Sequence, residues 1–380
     1  MSAIAGGPSW AIWITGPPAS GKSTLARATA ATLAEAGVRV CVLELDAMRR
    51  VVTPMPTYSD AERDLVYRAL VWIAAAVTGA GVPVIVDATA HRREWRDLAR
   101  AVIGNFVEVQ LACGLETCRA RDAMRASRRA APAVYADAGT PSGRVPGVDL
   151  EYEPATAPEL TIDTETATED VAVAQVVELA RRLPPPSGLR ADAGWAIWIT
   201  GLPGSGKTTI ASASADALAR YGVDARVLEL GDLLGFIAGC SDSPLAELIA
   251  NRALIYAAKV LTDFGVPVLI DATAPARAWR ELARDLISRF AEVQLLCPAE
   301  VCATRERAVR WRLIGCAHSS PRIGRRGPDI VLGYEPSLRP EVVLYTDVGD
   351  PQTAAATVVR LARRLHRTSS GTPWATALAG

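Results

Sequence analysis

The 380-residue sequence predicts two tandem domains of α/β class, each a mostly parallel sheet with helices on both faces. Two observations predict this. The chain repeats itself at a period of one whole domain, and within each copy short apolar, β-branched runs alternate with amphipathic helical stretches. A third feature, a glycine-rich turn between the first strand and first helix of each copy, carries the chemistry.

The repeat is explicit. Trp10-Ala11-Ile12-Trp13-Ile14-Thr15-Gly16 recurs as Trp195-Ala196-Ile197-Trp198-Ile199-Thr200-Gly201. Gly81-Val82-Pro83-Val84 with Asp87-Ala88-Thr89-Ala90 recurs as Gly265-Val266-Pro267-Val268 with Asp271-Ala272-Thr273-Ala274, and Tyr152-Glu153-Pro154 as Tyr334-Glu335-Pro336. A period this long marks a duplicated domain, not a solenoid. The first domain is expected over 8–183 and the second over 194–366. Between them Pro184-Pro185-Pro186-Ser187-Gly188 opens a linker over 184–193, and 367–380 reads as a flexible tail.

Within the first copy, residues 11–15, 39–45, 82–87 and 107–111 read as strands. Residues 22–36 read as a helix that Gly37 can cap, and 61–80 and 92–103 as further helices. Right-handed crossovers place the loops that follow the strands along one edge of the sheet, where open α/β sheets bind ligands.

At that edge Gly16-Pro-Pro-Ala19-Ser20-Gly21-Lys22-Ser23-Thr24 and Gly201-Leu-Pro-Gly204-Ser205-Gly206-Lys207-Thr208-Thr209 both fit G-x-x-x-x-G-K-[ST]. Each follows a strand and opens a helix, so the fold is of the P-loop NTPase, nucleotide-kinase-like type. The glycines let backbone N–H groups turn inward around phosphates, and the helix N-terminus adds partial positive charge. Lys22 or Lys207 then bridges the outer phosphates of ATP, and the Ser23 or Thr208 hydroxyl ligates Mg²⁺.

Composition narrows the partners. Basic and acidic residues each total 41, so the net charge is zero and nothing draws the whole chain to nucleic acid or anionic lipid. No apolar run is long enough to span a bilayer, no secretory signal is read at the N-terminus, and seven cysteines form no CxxC pair. The expectation is a cytoplasmic protein with reduced thiols, and a homo-oligomer is compatible with it.

Opposite the phosphates stand carboxylates. Glu44 and Asp46 sit two apart at the end of the second strand and would point the same way, to hold or deprotonate an acceptor hydroxyl. Asp87 ends the third apolar run beside the glycine-rich loop, as a contact to Mg²⁺ through water or as a base; Asp271 repeats it. Ser59 is a helix N-cap with Glu62 completing a capping box. Arg63 and Arg68 either clamp an anionic acceptor or lie on a wet helix face. Arg119, Arg121, Arg125, Arg128 and Arg129 have the makings of a lid helix over ATP, with Arg305 repeating Arg121.

These residues resemble the adenylylsulfate kinase family across nearly all of the first copy. Leu43-Glu44-Leu45-Asp46-Ala47-Met48-Arg49 resembles that family's Leu-Asp-Gly-Asp-Asn-Val-Arg, and Tyr58-Ser59…Arg63 its Phe-Ser-x-x-Asp-Arg. Glu116…Arg121-Asp122 and Gly147-Val-Asp149…Tyr152-Glu153-Pro154 follow in family order. The resemblance implies an ATP-dependent kinase acting on a small-molecule hydroxyl, the 3′-hydroxyl of adenylyl sulfate. It implies Asp46 near that hydroxyl, Glu44, Arg49 and Arg63 on the substrate, and Arg121 on the ATP side. Val66, the aromatic-free Arg144-Val-Pro-Gly147 and Asp87-Ala-Thr depart from the family pattern. They leave open a kinase for another small-molecule or polynucleotide acceptor, or a nucleotide-binding switch.

The second copy departs further. Gly231, Leu234 and Glu247 stand where Asp46, Arg49 and Arg63 stand in the first, and Pro275 and Ala276 replace His91 and Arg92. Asp232, displaced by one residue, would point to the other face of a strand. This copy is expected to bind nucleotide and to regulate, to scaffold, or to act on a different, uncharged acceptor.

Overall fold

A computed structural model of the chain describes residues 9–129, 133–140, 144–186, 194–239, 243–315 and 333–367. Residues 187–193 of the linker, the tail from 368 and the first eight residues lie outside them. The chain divides into two units, Met1–Leu189 and Arg190–Gly380.

The first unit runs β1 (Trp10–Thr15), α1 (Lys22–Glu35), β2 (Cys41–Glu44), α2 (Leu45–Val52), α3 (Asp60–Gly79), β3 (Val84–Asp87), α4 (Arg93–Val102), β4 (Asn105–Ala112), α5 (Leu115–Arg129), β5 (Leu160–Asp163) and α6 (Glu169–Arg181). Its five strands pair in parallel in the order β2-β3-β1-β4-β5. The second unit repeats this with β6 (Ala196–Thr200), α7 (Lys207–Ala219), β7 (Arg226–Glu229), α8 (Leu230–Ala238), α9 (Pro244–Asp263), β8 (Val268–Asp271), α10 (Arg277–Leu286), β9 (Phe290–Leu296), α11 (Ala299–Gly315), β10 (Val342–Tyr345) and α12 (Pro351–Arg367). Its sheet, β10-β9-β6-β8-β7, is the same order read from the other edge.

The strand β1 is buried along its whole length, which a central parallel strand covered on both faces requires. Ile12 and Ile14 pack on one face against Leu25 and Leu33 of α1 and Val176 of α6. Each such side chain contributes about 1.5–3 kcal/mol on burial. Trp13 satisfies its indole N–H on the Ala88 carbonyl at 3.1 Å, and Trp198 does the same on Ala272 at 3.0 Å. Those bonds tie β1 and β6 to the turns that leave the third strand of each sheet. Because β1 pairs with both β3 and β4, its carboxyl end is where the chain direction switches across the sheet.

Two local readings are corrected. The second strand ends at Glu44, so Asp46 lies in the first turn of α2 and the alternation argument does not apply to it. Met48, Arg49 and Val52 are the buried residues of that segment, a helical spacing that outweighs the short strand run. Asp232 likewise sits in the first turn of α8 and on no strand face. The strand β5 is an addition: only Ile162 of its four residues is buried, so its sequence carries little strand pattern.

Candidate active site

The two glycine-rich loops are built by steric necessity. A Cβ on Gly16 would lie 2.8 Å from Ser20 Oγ, and one on Gly201 2.8 Å from Ser205 Oγ, so only glycine fits. Ala19 holds φ 60° and its counterpart Gly204 φ 77°, where a Cβ would meet the Cys302 carbonyl at 2.3 Å. Gly21 and Gly206, both left-handed, cap α1 and α7 with no side-chain bond. The first-turn N–H groups therefore face the loop, with Ser23, Thr24, Thr208 and Thr209 exposed just behind them.

Lys22 is buried and donates from Nζ to the Pro17 carbonyl at 2.7 Å, and Lys207 to the Leu202 carbonyl at 3.0 Å. Burial pushes the Lys22 ammonium below its ordinary range, opposed by the carboxylates of Asp87 and Asp46. Burial in turn lifts Asp87, against a hydrogen bond from Ser23 and the charge of Lys22. Ser23, Lys22, Asp87 and Asp46 thus form one cluster at the carboxyl ends of β1 and β3. In the second unit Thr208 Oγ1 donates to Asp271 Oδ2 at 2.6 Å, and Lys207 lies within the field of that carboxylate.

Glu44, in register beside Asp87, is engaged by a side chain that motif reading missed. Arg27, one turn along α1, grips it in a fork at 2.6 and 2.7 Å. The arginine follows the P-loop on the exposed face of α1, and nothing in its spacing singles it out.

The acceptor side is an arginine shelf. Arg49 Nη1 pairs with Glu62 at 3.0 Å, with both side chains buried. Glu62 also accepts from the Thr57 N–H and hydroxyl, at 2.6 and 2.7 Å. The capping box is therefore only half present: Ser59 caps the Glu62 N–H, while the Glu62 carboxylate turns to Arg49 and Thr57. Arg63 donates to the carbonyls of Tyr58 and Arg144 at 3.0 and 2.9 Å. Both guanidiniums lie over the ring of Tyr58, at 5.2 and 5.5 Å, and Tyr58 itself holds φ 53°. Arg68 belongs elsewhere, in an i, i+4 pair with Asp64.

His91 is buried against the edge of Trp95, and its Nδ1 has no hydrogen-bond partner. Burial, with Arg63 and Arg92 nearby, pushes it down to about 4.

Arg121 is anchored to the sheet. It donates to the Thr164 hydroxyl and carbonyl at 3.1 and 2.5 Å, and Arg305 donates to the Thr346 carbonyl at 2.7 Å. Arg125 pairs with Asp122, and the side chains of Arg128 and Arg129 lie outside the described residues. Tyr135, another residue without a sequence signal, donates to the Pro18 carbonyl of the loop at 3.0 Å. A cleft of about 550 Å³ opens beside that loop, lined by Pro17, Cys113, Leu115 and the segment from Gly147 to Tyr152.

A parallel sheet in this strand order, a P-loop at its switch point and carboxylates across from it define an ATP-dependent kinase that acts on a small-molecule hydroxyl. The sequence model of the adenylylsulphate kinase family matches residues 8–163 and again 193–311, and the chain belongs to that family. A "Probable adenylyl-sulfate kinase" of Archaeoglobus fulgidus is 37% identical over 159 residues, 41% of this chain and 97% of the relative. An adenylyl-sulfate kinase of Geotalea uraniireducens is 32% identical over 187 residues, 48% and 85% respectively. Among solved structures, a Mycobacterium tuberculosis APS kinase in complex with AMPPNP and APS is 27% identical, with a TM-score of 0.37. The match covers 45% of this chain and 99% of that one. Among the described residues no helix is long and apolar enough to cross a membrane.

Proposed function

We propose that the first unit transfers the γ-phosphoryl group of ATP to the 3′-hydroxyl of adenylyl sulfate. The observation that carries the proposal is the pairing of two halves on one sheet edge. Lys22, Ser23, Asp46 and Asp87 gather at the phosphate end, and Arg49 and Arg63 lie side by side over Tyr58 at the acceptor end.

In this reading the backbone N–H groups of Gly21 to Thr24 and the Lys22 ammonium hold the outer phosphates and offset charge that builds during transfer. A triphosphate beside Lys22 restores the charge that burial disfavours. Asp46, exposed in the first turn of α2, orients the acceptor hydroxyl and takes its proton, with Asp87 as the carboxylate behind it. Arg49 and Arg63 fit the acceptor's anionic groups, already desolvated and stacked before it arrives. The Ser23 hydroxyl, hydrogen-bonded to Asp87, fits a Mg²⁺ ion. Bound there, the ion would neutralise phosphate charge.

Mg-ATP with adenylyl sulfate should give acceptor-dependent ADP. In Lys22→Ala that rate should fall by a factor of about 10²–10³, the cost of losing one preorganised donor, whereas Lys207→Ala should retain it. Chelation of divalent cations should abolish it. ADP formation that adenylyl sulfate does not raise, or a response to adenylyl sulfate lost in Lys207→Ala alone, would reject the reading.

A further inference from the structure

The second unit keeps the phosphate half of the site and rebuilds the rest around one carboxylate. In the first unit Glu44 is clamped by Arg27. The corresponding position on α7 is Ser212, and among the described residues no lysine or arginine forms an ion pair with Glu229. Glu229 instead stands in register beside Asp271, the carboxylate to which the P-loop hydroxyl of Thr208 donates at 2.6 Å. It is half-buried there. The strand-to-helix junction places Glu229 at the end of β7 and Asp232 in the first turn of α8.

The acceptor half is different in kind. Leu234 and Ala246 stand in place of the buried Arg49–Glu62 pair, and Glu247 in place of Arg63. The cation retained there, Arg252, lies over the Trp279 ring at 5.5 Å. Nothing remains of the two-arginine shelf.

We propose that the second unit is itself a phosphotransfer site, with Glu229 as the base that orients the acceptor. Its acceptor is a hydroxyl compound carrying no anion where Arg49 and Arg63 would meet one, and water is its slowest acceptor. The acceptor oxygen forms a bond to Pγ while the bond from Pγ to the β,γ-bridging oxygen breaks. ADP leaves with that electron pair, and the hydroxyl proton passes to the Glu229 carboxylate. With water the products are ADP and inorganic phosphate. The proposal rests on ATP use by the P-loop and not on adenylyl sulfate as the first unit's acceptor.

The test uses the full chain carrying Lys22→Ala, which silences the first unit, supplied with Mg-ATP and no acceptor. ADP formation should exceed that of the Lys22→Ala/Lys207→Ala chain. Adding Glu229→Gln should lower it about a hundredfold while leaving the affinity for a fluorescent ATP analogue unchanged. Ser212→Arg, which rebuilds the clamp, should do the same. Any stimulation by adenylyl sulfate should survive Lys207→Ala, because it comes from residual turnover of the first unit. A Lys22→Ala chain no faster than the double variant, a Glu229→Gln or Ser212→Arg chain as fast as its parent, or stimulation by adenylyl sulfate that Lys207→Ala removes would each overturn the proposal. None of these depends on which acceptor the first unit takes.

Discussion

Replacing Arg96 by methionine removes a cation buried beneath the turn that carries Asp87. Arg96 is 1% exposed; its Nε meets Glu108 Oε1 at 2.7 Å and its Nη2 donates to the Glu153 carbonyl at 2.6 Å. Its Nη1 donates to the carbonyl of Ala90, and its guanidinium lies 5.8 Å from the centre of the Tyr152 ring, whose hydroxyl meets Thr15 Oγ1 at 3.0 Å. Methionine keeps the apolar stem but strands the Glu108 carboxylate, which is 5% exposed. Breaking a buried pair from one side costs about 3–5 kcal/mol. Arg100 stands 3.8 Å from Glu108 but is 38% exposed and already forked onto Glu159, so it compensates little. We expect the first unit to lose about 4 kcal/mol, against a total of about 5–15 kcal/mol for a domain. Urea denaturation followed by tryptophan fluorescence measures this. Arg280→Met should lower the second unit similarly, because Arg280 pairs with Glu292 at 2.6 Å and caps the equivalent carbonyls. Arg96→Met/Glu108→Leu should recover the cost of the stranded charge and keep only that of the orphaned carbonyls, about 1–3 kcal/mol each. A loss below about 1 kcal/mol in Arg96→Met, or no recovery in the double variant, would refute the reasoning.

Other outcomes follow from the same geometry. His91 is neutral in the fold and gains its proton on unfolding at any pH between about 4 and 6.5. Stability of the first unit should therefore fall as pH drops through that window, by about 3 kcal/mol in all. His91→Phe should flatten the slope, and the second unit, with Pro275 there, should lack it; denaturation midpoints across pH 4–7 decide. Asp87 has its carboxyl raised by burial, so its charged form opposes folding above the ordinary value of 3.8. Asp87→Asn should accordingly raise the denaturation midpoint at pH 7, with a gain that vanishes as pH falls below about 4, while turnover collapses. Asp46→Asn should lower kcat about a hundredfold with the KM for ATP unchanged, since its proposed part is to take the acceptor's proton rather than to hold a phosphate; initial rates at varied ATP measure both.

The parts of the site legible in the sequence were those whose chemistry is local. A P-loop is a contiguous run in which Gly16 and Gly21 answer to sterics within five residues, and its repetition at Gly201 and Gly206 made the duplication plain. Asp87 was readable because a continuous apolar run delivers its last residue to the sheet edge. Asp46 was read on the wrong kind of element, because four strand residues precede it without punctuation and only the burial of Met48, Arg49 and Val52 shows that the helix has begun. The Arg-rich stretch after Cys118 reads as a lid, yet Arg121 spends its donors on Thr164, a residue distant in sequence.

Sequence alone determined that two P-loop sheets of one order would follow each other, because alternating hydrophobic periods and glycine geometry are properties of short segments. Only the tertiary structure decided how the charges divide. The Arg27 clamp on Glu44, the Arg49–Glu62 pair and the register of Glu229 beside Asp271 each join residues from different elements. Whether a carboxylate serves as a base or as half of an ion pair depends on which side chain packing brings to within 3 Å of it, and no spacing along the chain encodes that distance.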